Sequence, residues 1–257
     1  MLLAIDVGNT NISFGVYENE KYVVTFRINT HPVRTADEYY ALLCSLFESR
    51  HIDISRIDGV ILASVVPVTH EALIRLSRKH FKCEPIILSS KLDLGFSIKY
   101  KPASAVGADR LANAIAAHSL YKENVIVVDF GTATTFDVID KNGDYLGGAI
   151  VPGIQISLDA LFQRASKLTE IELVAPKVAI GTDTEEALLS GVIYGYAGQI
   201  DAIISKITEE LSDKPRVIAT GGQSYIIAEH SEFIDETIDS LTLDGLNILY
   251  NRLTHDS

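Results

Sequence analysis

The chain has 257 residues, 47% of them apolar, and carries 34 acidic against 22 basic side chains for a net charge of −12. That balance argues against a protein that grips nucleic acid by neutralising phosphates, and the apolar content suits packed cores rather than a disordered chain. The length admits one large domain or two smaller ones.

No apolar stretch approaches the roughly 20 residues of a membrane span, and the opening Met-Leu-Leu-Ala-Ile-Asp has no basic region ahead of it, so neither membrane nor signal peptide is expected. Cys44 and Cys83 form no CxxC pair and read as reduced packing residues of a cytoplasmic protein. The histidines show no metal-ligand spacing, so no zinc site is expected.

In chain order, a β-meander opens the sequence at 2–7, 11–18 and 21–28, turned by Gly8-Asn9 and by Glu18-Asn19-Glu20. Thr35-Ala-Asp-Glu38 is a capping box, and Tyr39, Leu42, Leu43, Leu46 and Phe47 recur behind it at helical spacing. A strand at 60–66 is closed by Pro67, a helix spans about 69–81, and a short strand lies at 85–88. Residues 89–106 are irregular and include Lys99-Tyr100-Lys101; Gly107-Ala108-Asp109-Arg110 then opens an Ala-rich helix to about Tyr121.

The second half repeats the plan. Strands fall at 124–129, 134–139 and 144–150, with Lys141-Asn142-Gly143 as a hairpin turn. Pro152-Gly153 precedes a helix near 155–165, and Thr182-Asp-Thr-Glu185 caps a long helix over 184–211. A strand at 216–219 ends in Thr220-Gly221-Gly222, and two helical stretches follow.

The repeat is sharpest at two short phrases. Residues 2–10 read Leu-Leu-Ala-Ile-Asp-Val-Gly-Asn-Thr and residues 125–133 read Val-Ile-Val-Val-Asp-Phe-Gly-Thr-Ala, so one interval separates both Asp6 from Asp129 and Gly8 from Gly131. Each is a wholly apolar strand, buried on both faces, that ends in a carboxylate and a Gly allowing close phosphate approach. Taken singly, Asp before Gly is ordinary turn chemistry; in matched duplicate it points to a nucleotide held between two related lobes. An acidic protein that holds polyphosphate must do so with cations, backbone N–H groups and helix N-termini.

Asp6-Val-Gly-Asn-Thr10, Gly107-Ala-Asp-Arg110, Asp129-Phe-Gly-Thr-Ala-Thr134 and Thr220-Gly-Gly222 together resemble the type III pantothenate kinases, within the superfamily of acetate and sugar kinases, Hsp70 and actin. The resemblance covers nearly the whole chain. It implies an α/β fold of two actin/RNase H-like lobes, 1–118 and 119–257, each a mixed β-sheet with flanking helices, with a cleft between them. It implies ATP-dependent phosphorylation of pantothenate to 4′-phosphopantothenate, the first step of coenzyme A biosynthesis, by a cytoplasmic homodimer that binds neither nucleic acid nor membrane.

The same resemblance implies residue roles. Asp109 corresponds to the general base, with Gly107, Ala108, Arg110, Tyr100 and Thr184 around pantothenate. Asp6 corresponds to the residue near phosphate and Mg²⁺, with Val7, Gly8, Asn9 and Thr10 cradling ATP and Asn11, Ile12 and Ser13 continuing that segment. Thr132, Gly221 and Gly222 correspond to further ATP contacts, and Asp129 to the ligand of a monovalent cation, K⁺ or NH₄⁺.

Plainer readings remain beside these. Asp109 can serve as a helix-end charge, Thr184 as part of a cap, and Tyr100 as a surface aromatic. Small residues on the long helix, among them Gly191, Gly195 and Gly198, are compatible with a dimer seam. The rival function is a non-catalytic nucleotide-binding regulator of the same fold, which would need no base at position 109.

Overall fold

The computed structural model describes residues 1–165, 168 and 171–255. Two compact units emerge, one comprising Met1–Leu120 with Ser240–Ser257 and the other Tyr121–Asp239.

In the first unit, β1 (Leu2–Val7), β2 (Asn11–Glu18) and β3 (Lys21–Asn29) form the antiparallel meander, and β4 (Gly59–Ser64) and β5 (Ile86–Ile87) extend the sheet in parallel from β1. The strand order is β3-β2-β1-β4-β5. Because strand side chains alternate, β1 sends Leu3, Ile5 and Val7 to one face. There they pack with Phe14 and Val16 of β2, with Tyr39, Leu43 and Phe47 of α1 (Ala36–Glu48), and with Leu73 and Leu76 of α2 (Pro67–Leu76). Leu2, Ala4 and Asp6 take the other face, toward α3 (Ala108–Leu120) and the last helix, α7 (Leu241–His255).

The capping box of α1 forms as the sequence predicts: the Glu38 N–H donates to Thr35 Oγ1 at 3.3 Å and the Thr35 N–H to Glu38 Oε2 at 2.7 Å. Pro67 does something different from ending β4. It sits at the first helical position of α2, where its missing N–H is not needed and its fixed φ suits the helix. A single π-helical turn, Ser77–Phe81, continues α2.

The second unit repeats this topology. β6 (Val125–Phe130), β7 (Ala133–Ile139) and β8 (Tyr145–Pro152) make the meander, and β9 (Arg216–Thr220) and β10 (Glu236–Thr237) extend it in parallel, in the order β10-β9-β6-β7-β8. The two-residue β10 is too short to carry a sequence pattern. Ile126, Val128, Phe130 and Phe136 pack on α4 (Ile154–Arg164) and on Ile193, Ala197, Ile200 and Ile204 of α5 (Thr184–Glu210). A short helix, α6 (Ser224–Ala228), follows β9.

The sequence assigns 119–257 to one lobe, but α7 leaves it and completes the first unit. Tyr17 Oη donates to Asp244 Oδ1 at 2.8 Å, Asn247 Nδ2 to Glu20 O at 3.2 Å, and Thr242 Oγ1 to Asn113 Oδ1 at 2.7 Å. Gly245 lies so close to α3 that a Cβ there would stand 1.9 Å from the Ala112 carbonyl oxygen. The physical reason is burial: without α7, the Leu2–Ala4 face of the first sheet would lack its cover.

By length and hydropathy α5 alone among the described helices passes for a membrane span, with a window of mean hydropathy 1.3, a third of it buried. Its Ile, Leu and Val residues raise that value, and several of them, Ile193, Ile200 and Ile204, belong to the second core.

Candidate active site

In the first unit the candidate residues gather at the carboxyl ends of two parallel strands, where open α/β sheets offer their binding crevices. Asp6, half-buried near the end of β1, pairs across the sheet with Ser13 of β2 and Ala63 of β4. The following turn is closed by Gly8 N donating to Asn11 O at 2.9 Å. Thr30, fully buried, braces this turn through Oγ1 to the Gly8 carbonyl at 2.7 Å and through its N–H to Thr10 O at 2.9 Å. The sequence reading passed over Thr30, because a lone Thr after a strand carries no motif. Asn9 and Thr10 are exposed at the tip, whereas Val7 and Ile12 lie wholly within the core, so only their backbones can meet a ligand.

The Gly107–Arg110 motif comes to the same end of the sheet. Val65, just past β4, donates its N–H to Val7 O at 3.1 Å, and a Cβ at Gly107 would stand 3.8 Å from Val65 Cγ1. Asp109 therefore opens α3 beside the turn that carries Asp6. Its Oδ1 accepts the Arg110 N–H at 2.8 Å, and a Cβ at Gly107 would come within 2.4 Å of that oxygen. Glycine is what leaves the carboxylate its place. Arg110 is 7% exposed, so its guanidinium is held inside rather than solvated. Ala108 is half-buried in the first turn, and Tyr100 is half-buried in the irregular segment ahead of it.

In the second unit Asp129 ends β6 as Asp6 ends β1. Gly221, at φ +93°, lies against it: a Cβ there would meet Asp129 Oδ1 at 2.8 Å and Phe130 O at 2.6 Å. The absent side chain lets the β9 end pack directly against this carboxylate and the Phe130 carbonyl. Thr132 is half-buried in the β6–β7 turn and Gly222 is exposed. Thr184 is exposed at the start of α5, but the cap sits one residue later than the sequence suggests. Asp183 Oδ1 accepts the Glu186 N–H at 2.8 Å, and Glu186 Oε2 accepts from Thr182 N and Oγ1, each at 2.9 Å. Asp is at least as good an N-cap as Thr, and the shift leaves Thr184 out of the cap. Among the described residues no three His, Cys, Asp or Glu side chains gather to hold a metal.

The arrangement has known counterparts. The sequence model of the type III pantothenate kinases matches residues 2–206. Similar solved structures include a conserved Baf family protein of Campylobacter jejuni described as a transcriptional activator (22% identity, 98% of each chain, TM-score 0.60). Another is the activator of 2-hydroxyisocaproyl-CoA dehydratase from Clostridium difficile with bound ADPNP (11% identity, 99% of this chain and 96% of that one, TM-score 0.59). A third, from Sinorhizobium meliloti, is described as a 2-dehydro-3-deoxygalactonokinase (10% identity, 99% of each chain, TM-score 0.60). At these identities the structures speak for the fold, two mixed five-stranded sheets with flanking helices. The matched residues take in both strand-end carboxylates and the Gly107–Arg110 segment, and the chain belongs to the type III pantothenate kinase family, a family of ATP-using phosphotransferases.

Proposed function

We propose that this protein transfers the γ-phosphoryl group of ATP to the primary hydroxyl of pantothenate, giving 4′-phosphopantothenate and ADP at the first step of coenzyme A biosynthesis. The observation that carries this reading is the position of Asp109, a carboxylate kept clear by Gly107 at the sheet end where Asp6 also lies. A module that only binds nucleotide has no use for it.

Phosphoryl transfer needs positioning, charge neutralisation and a proton acceptor. The turn after β1, closed by the Gly8 N–H and braced by Thr30, presents Asn9 and its backbone N–H at the exposed tip to phosphate. Mg²⁺ beside Asp6 would supply charge neutralisation on the transferring group. Asp109 orients the pantothenate hydroxyl and accepts its proton as the new O–P bond forms and the β–γ bridge breaks. Its place in the first turn of α3 holds it at the sheet end that carries Asp6. In the first unit Arg110, Gly107, Ala108 and Tyr100 hold the acceptor, and in the second Thr132, Gly221 and Gly222 contact nucleotide.

A monovalent cation, K⁺ or NH₄⁺, at Asp129 fits the oxygen donors of the row it stands in, with Thr135 and Thr220 as its cross-strand neighbours, and it offsets part of the excess negative charge of the protein. A homodimer is supported by the second unit, which exposes Ile150, Val174, Val178, Tyr194 and, at 85%, Ile180. On α5, Gly191 and Gly195 are exposed and a Cβ at either would meet nothing within 4 Å, so the monomer itself gives no reason for glycine there. We place the enzyme in the cytoplasm.

The C. jejuni protein's description favours one rival, a nucleotide-binding regulator of the same fold. Incubation with ATP, Mg²⁺, K⁺ and pantothenate followed by mass spectrometry decides between them. Formation of 4′-phosphopantothenate is expected; intact ATP binding without product would establish the regulator.

A further inference from the structure

The two strand-end carboxylates sit in the same topological place but in different company. Pairing register puts residues opposite one another on one face of a sheet. Across the first sheet the row through Asp6 reads Ala63–Asp6–Ser13, and across the second the row through Asp129 reads Thr220–Asp129–Thr135. Asp129 is thus flanked on both sides by hydroxyl-bearing residues, Asp6 on one side only.

One step further along β7 the halves diverge again. Gly15 follows Ser13 on the same face of β2, while Asp137 follows Thr135 on β7. Asp137 is fully buried and accepts hydrogen bonds from Tyr145 Oη at 2.6 Å and from Thr135 Oγ1 at 3.2 Å. A buried carboxylate is costly unless its oxygens are satisfied, and at the matching register position of the first unit stands Gly15. Asp137 also has a chemical effect on its neighbour. A threonine hydroxyl carries one proton and two lone pairs; with the proton committed to Asp137, Thr135 Oγ1 has only lone pairs left for the Asp129 side.

We propose that Thr135, oriented by the buried Asp137–Tyr145 pair, completes the oxygen cage of the monovalent cation at Asp129, and that this network is why the second strand-end carboxylate rather than the first takes that ion. Thr135 and Thr220 supply hydroxyl oxygens and Asp129 the charge. Asp137 and Tyr145 are positioning residues that touch neither ion nor substrate. The inference rests on the cation reading given above.

The test is the cation-dependent rise in melting temperature with ATP present, titrated with KCl against NaCl at constant ionic strength and paired with turnover measurements. In Thr135→Val, which keeps the shape and removes the hydroxyl, the half-saturating K⁺ concentration should rise ~10–100-fold, read against an ion-free melting point that itself falls because Asp137 loses one hydrogen bond. Thr135→Ser should restore it. Asp137→Asn should weaken K⁺ as well, because an amide N–H facing Thr135 turns the hydroxyl proton toward the ion. This variant keeps the inference testable if Thr135→Val fails to fold. A wild type that responds to K⁺ over Na⁺, with Thr135→Val and Asp137→Asn showing the same half-saturation, overturns the inference and leaves the cation reading intact. Equal wild-type responses to K⁺ and Na⁺ overturn the cation reading itself.

Discussion

The sharpest perturbation is Asp109→Asn. The Asp109 oxygen that accepts the Arg110 N–H at 2.8 Å has an equivalent in the amide, so the first turn of α3 and the burial of Arg110 survive the change. What disappears is the ability to take a proton. A general base contributes ~10²–10⁴-fold, or about 2.7–5.4 kcal/mol of barrier at 1.36 kcal/mol per decade. Turnover in a coupled ADP-release assay should fall by that factor, while ATP affinity by calorimetry stays within about threefold. Gly107→Ala probes the same carboxylate from outside: the new Cβ would stand 2.4 Å from Oδ1, so the carboxylate must move. Misplacement by ~1 Å costs on the order of 10²-fold with the base still present. Near-normal turnover in both variants would refute the reasoning and leave Asp109 a helix-end charge.

Gly245→Ala should cost ~1–3 kcal/mol, because its Cβ would stand 1.9 Å from the Ala112 carbonyl; scanning fluorimetry should show a melting point several degrees lower. Gly195→Arg on α5 should convert a dimer to monomer in analytical ultracentrifugation without unfolding it, since a Cβ there meets nothing within 4 Å; an unchanged dimer would move the interface elsewhere. Tyr121 donates to Glu236, and burial, then that hydrogen bond and the charge of Glu236, push its phenol from 10.0 up to about 12. The neutral form is the stabilising one, so its contribution is complete below pH 10.0 and lost as pH rises through about 12. Tyr121→Phe should therefore show a smaller alkaline loss of stability by circular dichroism, and a curve identical to wild type would sink the assignment.

Local signals were legible where chemistry acts locally. Apolar runs, Asn-Gly turns and the Thr35–Glu38 box each stabilise their element through neighbours in sequence. Pro67 was ambiguous because the same fixed φ that ends a strand also begins a helix. The cap at Asp183 was one residue off because Thr182, Asp183 and Thr184 are all competent caps. The membership of α7 depends on contacts far apart in the chain, such as Tyr17 with Asp244, which no local pattern encodes. The strand-end carboxylates stood out because they are repeated. Asp137 and Tyr145 did not, since the partners of a buried carboxylate are set by pairing register rather than by spacing.

The return of α7 has a consequence for the order in which the chain is made. The second unit is continuous from Tyr121 to Asp239 and has every strand of its sheet once β10 has left the ribosome. The first unit begins earlier but must wait for the helix over Leu241–His255 to cover its sheet. Domains usually fold from the N-terminus as they emerge; here the later-made unit can close first. Until then the nascent first sheet carries an apolar face in need of cover, which makes it the natural client for a chaperone during synthesis.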